Sequence, residues 1–161
     1  MKKIKCFVFF VLSVCFVSPL SAVAENFSSI VNKISGQVMV LSDVMTIPDS
    51  PLSSGFIFII PEERLSFLSA EINMPVISKA FPRRRFSMNQ DLYDRFVVAF
   101  SPLSPDGKYS FSIVEGDYAV CLSLQENLVF PIYMEGCVET EVKNGRNQLP
   151  KIFWGLGGVT K

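Results

Sequence analysis

The stretch from Ser104 to Leu124, SPDGKYSFSIVEGDYAVCLSL, constrains this chain more than any other. Pro105, Asp106 and Gly107 supply turn chemistry, because proline presets one dihedral, aspartate bonds its own backbone and glycine accepts positive φ. Tyr109, Phe111 and Ile113 then alternate with Ser110 and Ser112, the period of a strand with one buried face. Glu115, Gly116 and Asp117 turn the chain again. Tyr118, Val120, Leu122 and Leu124 follow in alternation with Ala119, Cys121 and Ser123. Two amphipathic strands in succession cannot stand alone in water, so a second sheet has to cover their apolar faces.

The DGKYSF turn-and-strand followed by EGDYAV resembles the hallmark of carboxypeptidase regulatory-like domains, the transthyretin-like (prealbumin-like) β-sandwiches. Gly36, Gln37 and Val38 are similar to that family's opening Gly-x-Val strand, and Ser54 to Ile60 to its second strand. The resemblance spans roughly two thirds of the expected mature chain and implies an all-β, seven-stranded sandwich with no chemistry of its own, since such domains serve mostly as accessory, binding or spacer modules.

Residues Met1 to Ala24 read as a signal peptide. Lys2, Lys3 and Lys5 form a basic start, Cys6 to Val17 an apolar core, and Ala22, Val23 and Ala24 a small-residue cleavage site. The apolar run is short for a membrane anchor, and Val14 is bulky for the residue before a lipidated Cys15. The expectation is an exported protein, periplasmic or at the cell surface, with one domain over 25–161 and no membrane span after cleavage. The whole chain balances 15 basic against 15 acidic residues, and losing the three lysines leaves 12 against 15. That mildly acidic balance carries no footprint for nucleic acid or an anionic membrane. Of four cysteines, Cys121 and Cys137 remain, and an even pair in an exported protein reads as a disulfide. The alternation places both on polar strand faces; a redox-active pair lacks the CxxC spacing.

Further strands are expected over Ile34 to Leu41, Phe56 to Ile60, Asp94 to Ser101, Cys137 to Lys143 and Gln148 to Phe153, the last two joined by an Asn144-Gly145 hairpin turn. Phe56 to Ile60 is apolar without alternation, as in a strand covered on both faces. Pro61, Glu62 and Glu63 start a short helix carrying Leu65, Leu68 and Ile72. Ser87 with Gln90 suggests a capping box. Pro131 argues against a central strand in Gln125 to Glu135, whose Val129, Phe130, Ile132 and Tyr133 call for burial at one end of the sandwich. The segment 64–93 is longer than the family's usual connection, and a specialised function is expected in this helical and loop insertion.

The chain contains no histidine. Ser/His/Asp and Cys/His nucleophilic sites, histidine-ligated zinc and histidine general bases are therefore excluded. Glu62/Glu63 and Glu139/Glu141 are carboxylate pairs, but at a helix start and on a solvent-facing strand they read as surface acids. Gly155, Gly157 and Gly158 lack the strand and helix context of a phosphate loop. No cofactor, metal or catalytic residue is expected. Candidate binding residues are Phe81, Arg83, Arg84, Arg85 and Phe86, three arginines between two aromatics in a loop, the composition of an interface hot spot. Three readings follow: a non-enzymatic module holding a protein or cell-envelope component through the insertion, a structural spacer working through its sheet edges, and a carboxylate enzyme acting on a glycan.

Overall fold

A computed structural model of the chain describes residues 31–42, 48–77, 85–145, 148–155 and 158–160. The expected signal peptide and the outer cysteines Cys6 and Cys15 lie outside them. The elements in chain order are β1 (Val31–Val40), β2 (Ser50–Pro51), β3 (Phe56–Pro61), α1 (Glu62–Glu71), β4 (Phe86–Met88), α2 (Gln90–Phe96), β5 (Ala99–Pro102), β6 (Lys108–Val114), β7 (Gly116–Ser123), β8 (Ile132–Met134), β9 (Gly136–Val142), β10 (Ile152–Gly155) and β11 (Gly158–Thr160). The protein is mostly β. Each of the seven expected strands has a counterpart, two of them shifted, and β2, β4, β8 and β11 are short additions.

One sheet runs β11-β10-β1-β2, with β6 also on β1; the other runs β5-β3-β7-β9; β4 and β8 form a separate ribbon. β6 pairs antiparallel with β1 from Val31↔Val114 to Gln37↔Lys108, whereas β7 pairs with β3 and β9. Consecutive amphipathic strands thus sit in opposite sheets, and their apolar faces meet. Ile34, Val38, Ile57, Ile59, Phe111 and Val120 belong to the core between the sheets. The turn at Asn144-Gly145 likewise crosses between sheets and is not the expected hairpin: β9 pairs with β7, and β10 runs parallel to β1.

The turn from Ser104 to Lys108 is locked onto β1. Gly107 has φ +73°; its N–H donates to the Ser104 carbonyl at 2.8 Å, and its own carbonyl accepts from Val38 N–H at 2.9 Å. Asp106 accepts from Ser104 Oγ at 2.6 Å and pairs with Lys108 Nζ at 2.5 Å. Lys108 first, then Ser104, lowers the Asp106 carboxyl from 3.8 to about 2. A depressed folded-state value means that the stabilisation is complete above the ordinary value of 3.8 and is lost as pH falls through about 2. Asp106→Asn is therefore expected to lower the melting temperature at pH 6 and to melt like the parent at pH 2, by circular dichroism at both pH values. An undiminished gap at pH 2 would contradict this role. Next along β6, Tyr109 lies over Gly36, where an added Cβ would meet its ring at 2.3 Å. A residue without a side chain is what lets the ring reach the core.

The second sheet is covered on both faces, which explains the unbroken apolar run of β3. Phe58 and Ile60 point away from the sandwich core and pack with Leu68 of α1, Phe86 and Met88 of β4, Phe96 of α2, and Ile132 and Met134 of β8. These elements form a third layer. Cys121 and Cys137 lie beneath it, 0% and 2% exposed, and not on polar faces as the alternation suggested. They are register partners on β7 and β9, bonded to each other, with Cα atoms 4.0 Å apart. The face opposite the sandwich core is apolar here because the insertion covers it.

Closing a loop of sequence separation 16 stabilises by about 3 kcal/mol in the chain-entropy account. Cys121→Ala with Cys137→Ala is expected to lose that amount in urea titration. The parent's two thiols are expected to resist maleimide under denaturing, non-reducing conditions; labelling of both would remove the staple.

The expected strand over Asp94 to Ser101 is replaced in its first half by α2. The cap is Asn89, whose side chain accepts from Leu92 N–H at 2.9 Å, and not Ser87, which lies in β4. Phe96 is buried, while Val98 and Phe100, which a strand over Asp94 to Ser101 would place on one face with it, are 45% and 46% exposed. Residues 125–135 lie on the outer layer and not at the end of the sandwich: Ile132 is buried, whereas Val129 and Tyr133 face solvent.

Candidate functional site

The outer layer is assembled from short pieces held by side chains. After α1, Asn73 adopts φ +52°, the left-handed conformation asparagine tolerates at a helix end. Met74 N–H then donates to the Ser69 carbonyl at 3.0 Å, and Val76 N–H to Ser69 Oγ at 3.2 Å. Arg64 ties α1 to α2 by donating to the Arg95 carbonyl at 3.0 Å. Arg95 reaches Glu71 at 2.7 Å and Asp91 at 3.0 Å and covers the Phe96 ring at 5.1 Å. Hydrogen bonds to Glu71, then Asp91, raise its affinity for the proton, so it stays charged.

Gln125 organises the approach to β8. Its Oε1 accepts from Tyr133 N–H at 2.8 Å, and its Nε2 donates to the carbonyls of Val129 at 3.1 Å and Pro131 at 3.2 Å. Phe130-Pro131 is a cis peptide bond, and Phe130 meets Tyr93 edge-on at 5.4 Å. In the ribbon Ser87 faces Tyr133 across the strands, both outward, while Phe86, Met88, Ile132 and Met134 face inward.

Between the end of α1, the ribbon and the start of α2 lies a cleft of about 770 Å³. Ile72, Met74, Phe86, Leu92 and Pro131 supply its apolar lining, and Ser87, Asn89, Tyr133, Arg85, Glu135 and Glu71 its polar groups. Arg85 Nε and the Glu135 carboxylate form an ion pair at 2.6 Å, with the Arg85 side chain 70% exposed and that of Glu135 only 10%. The arginine covers a carboxylate that would otherwise be buried without a counter-charge. A second hollow of about 680 Å³, bordered by Phe67, Ala70, Arg95 and Phe96, shares Glu71 with the first.

Of the sequence-derived binding candidates, the two that are described, Arg85 and Phe86, both line the cleft. Phe81, Arg83 and Arg84 lie outside the described residues. Phe86 is a core residue, 6% exposed through the alternation of β4, and reaches the cleft only as part of its inner wall, not as an exposed anchor. Arg85 lines the cleft as the partner of Glu135. Tyr133, Glu135 and Asn89 were not anticipated; the available signal was Ile132-Tyr133-Met134 between Pro131 and Gly136, a three-residue alternation with its tyrosine outward. Of the carboxylate pairs, Glu62, Glu63, Glu139 and Glu141 are all exposed, and Glu141 pairs with Lys143 at 2.9 Å. Among the described residues no cluster of three or more cysteine, aspartate or glutamate side chains is placed to hold a metal, and no helix is long and apolar enough to cross a membrane.

No family model matches the chain, and no curated protein matches it. Among solved structures it is similar to one from Pseudomonas aeruginosa that is provisionally described as a carbohydrate binding protein, with 14% identity, a TM-score of 0.45, and coverage of 78% of this chain and 88% of that one.

Proposed function

We propose that this chain is an exported, non-enzymatic binding module on a carboxypeptidase regulatory-like, transthyretin-like sandwich. It holds a component of the cell envelope, protein or polymer, through the cleft built by its 64–93 insertion. The observation that carries this is the cleft itself: α1, β4 and α2, all absent from a minimal sandwich, combine with β8 to make a concave surface with apolar walls and a few polar groups, the usual composition of a binding site. Export is supported by the character of residues 1–24 and by the buried cystine, since disulfides persist in oxidising compartments. The family reading rests on the resemblance of DGKYSF and EGDYAV in the sequence.

The alternatives find less support. In the cleft Glu135 is ion-paired with Arg85, and Glu71 shares Arg95 with Asp91, so both carboxylates have a guanidinium beside them and the two do not converge as a free pair. Of the strands at the two ends of the second sheet's order, β5 is short and ends in Pro102, and β9 carries Glu139 and Glu141 outward. Proline and charge at an edge discourage strand addition. The test is co-sedimentation of the purified protein with insoluble envelope material from the producing cell. Tyr133→Ala is expected to reduce the bound fraction and Phe100→Ala, on β5, to leave it unchanged. The reverse pattern would favour the edge-mediated spacer.

A further inference from the structure

Resting on that reading, we infer that the cleft's ligand is an uncharged saccharide segment, stacked on Tyr133 and hydrogen-bonded by the polar groups around it. Three observations point there. The first is how Tyr133 is mounted. Its neighbours Ile132 and Met134 are 1% and 0% exposed, so the strand is anchored on both sides of it and the ring, 56% exposed, is held outward. The Gln125 side chain fixes its backbone N–H. An exposed aromatic held this firmly is a flat platform offered at little entropic cost, and the C–H face of a sugar ring is a complement to it.

The second is charge. Among the described residues of the cleft, Arg85 is ion-paired with Glu135, and Glu71 with Arg95 just outside it, which Glu71 shares with Asp91. Salt-bridged charges draw a polyanion or a basic peptide less than free ones do, yet they keep planar donors and acceptors that suit hydroxyl groups. The third is the supply of neutral partners. Ser87 stands opposite Tyr133 in the ribbon. Asn89, with its oxygen engaged by Leu92 N–H, has its amide N–H₂ to offer. A volume of about 770 Å³ falls within the ~300–1,000 Å³ of small-ligand sites and suits a few sugar rings more than the face of a folded protein.

The test is titration of ¹⁵N-labelled protein, cleaved or full-length, with neutral oligosaccharides of glucose, mannose and N-acetylglucosamine, and separately with a heparin fragment, polyphosphate and an oligolysine. A neutral sugar is expected to shift the amides around Ser87, Asn89 and Tyr133 and to leave those of β5 and β9 in place. Tyr133→Ala is expected to weaken that binding about tenfold and Tyr133→Phe by less than about twofold, because the ring face and not the hydroxyl makes the contact. Both variants should melt within a degree or two of the parent, the ring being exposed. Unchanged affinity in Tyr133→Ala, or no cleft shift with any neutral sugar, overturns the inference. If a polyanion or the oligolysine titrates the same amides and the sugars do not, the ligand class is wrong and the cleft reading survives. If no probe reaches the cleft and envelope capture persists in Tyr133→Ala, both fall.

Discussion

Phe58→Ala is expected to destabilise the protein by about 3 to 5 kcal/mol, the loss typical of a fully buried phenylalanine. Phe58 has no exposed surface and joins the second sheet to the outer layer. Its ring meets Tyr93 edge-on at 6.0 Å and stacks with Phe100 at 6.3 Å. Removing it opens a cavity between the second sheet and the outer layer, beside Tyr93 of α2. Phe100→Ala is the control, since it loses a stacked partner that is already 46% exposed and is expected to cost no more than about 1.5 kcal/mol. Urea midpoints for the two variants check this, and equal midpoints would mean that the layer does not depend on Phe58.

Gly107→Ala is expected to cost about 3 kcal/mol or more, combining strain with collision. At φ +73° an alanine is in a disfavoured region, and its Cβ would lie 2.5 Å from the Val38 carbonyl oxygen, a backbone atom already committed to a hydrogen bond from Leu52 N–H. Gly145→Ala separates the two contributions. Gly145 has φ +79° and nothing within 4 Å of an added Cβ, so it is expected to cost only the ~1–2 kcal/mol of left-handed strain. Both are measured by thermal and urea unfolding. Equal losses would show that the turn from Ser104 to Lys108 is not pressed against β1.

How far the sequence could be read follows from which physical signals were local. The alternation of Tyr109, Phe111 and Ile113 and of Tyr118, Val120 and Leu122 is a property of single strands, and all six side chains lie in the sandwich core. Gly107's positive φ was legible from the Asp-Gly pair. What was not legible depends on contacts distant in sequence. Cys121 and Cys137 look surface-facing until a third layer covers them, and that layer includes α1, β4, α2 and β8. The segment Asp94 to Phe100 alternates like a strand, yet the Asn89 cap and the burial of Phe96 make its first turn helical. Phe86 and Arg85 stand side by side in sequence and both line the cleft, yet Phe86 is only 6% exposed and packs in the core beneath it, whereas the Arg85 side chain is 70% exposed. The cleft itself is a meeting of α1, β4, α2 and β8, and composition alone does not announce such a meeting.

The central claim is that the outer layer, and not a sheet edge, is the working surface. Its most direct test is site-specific photocrosslinking in the envelope of the producing cell, with a benzophenone amino acid placed at Tyr133 in one strain and at Phe100 on β5 in another. Both positions are exposed, 56% and 46%, so either tolerates the probe. A discrete adduct from position 133, absent from position 100, is the predicted result. A discrete adduct from position 100 with none from position 133 would contradict it.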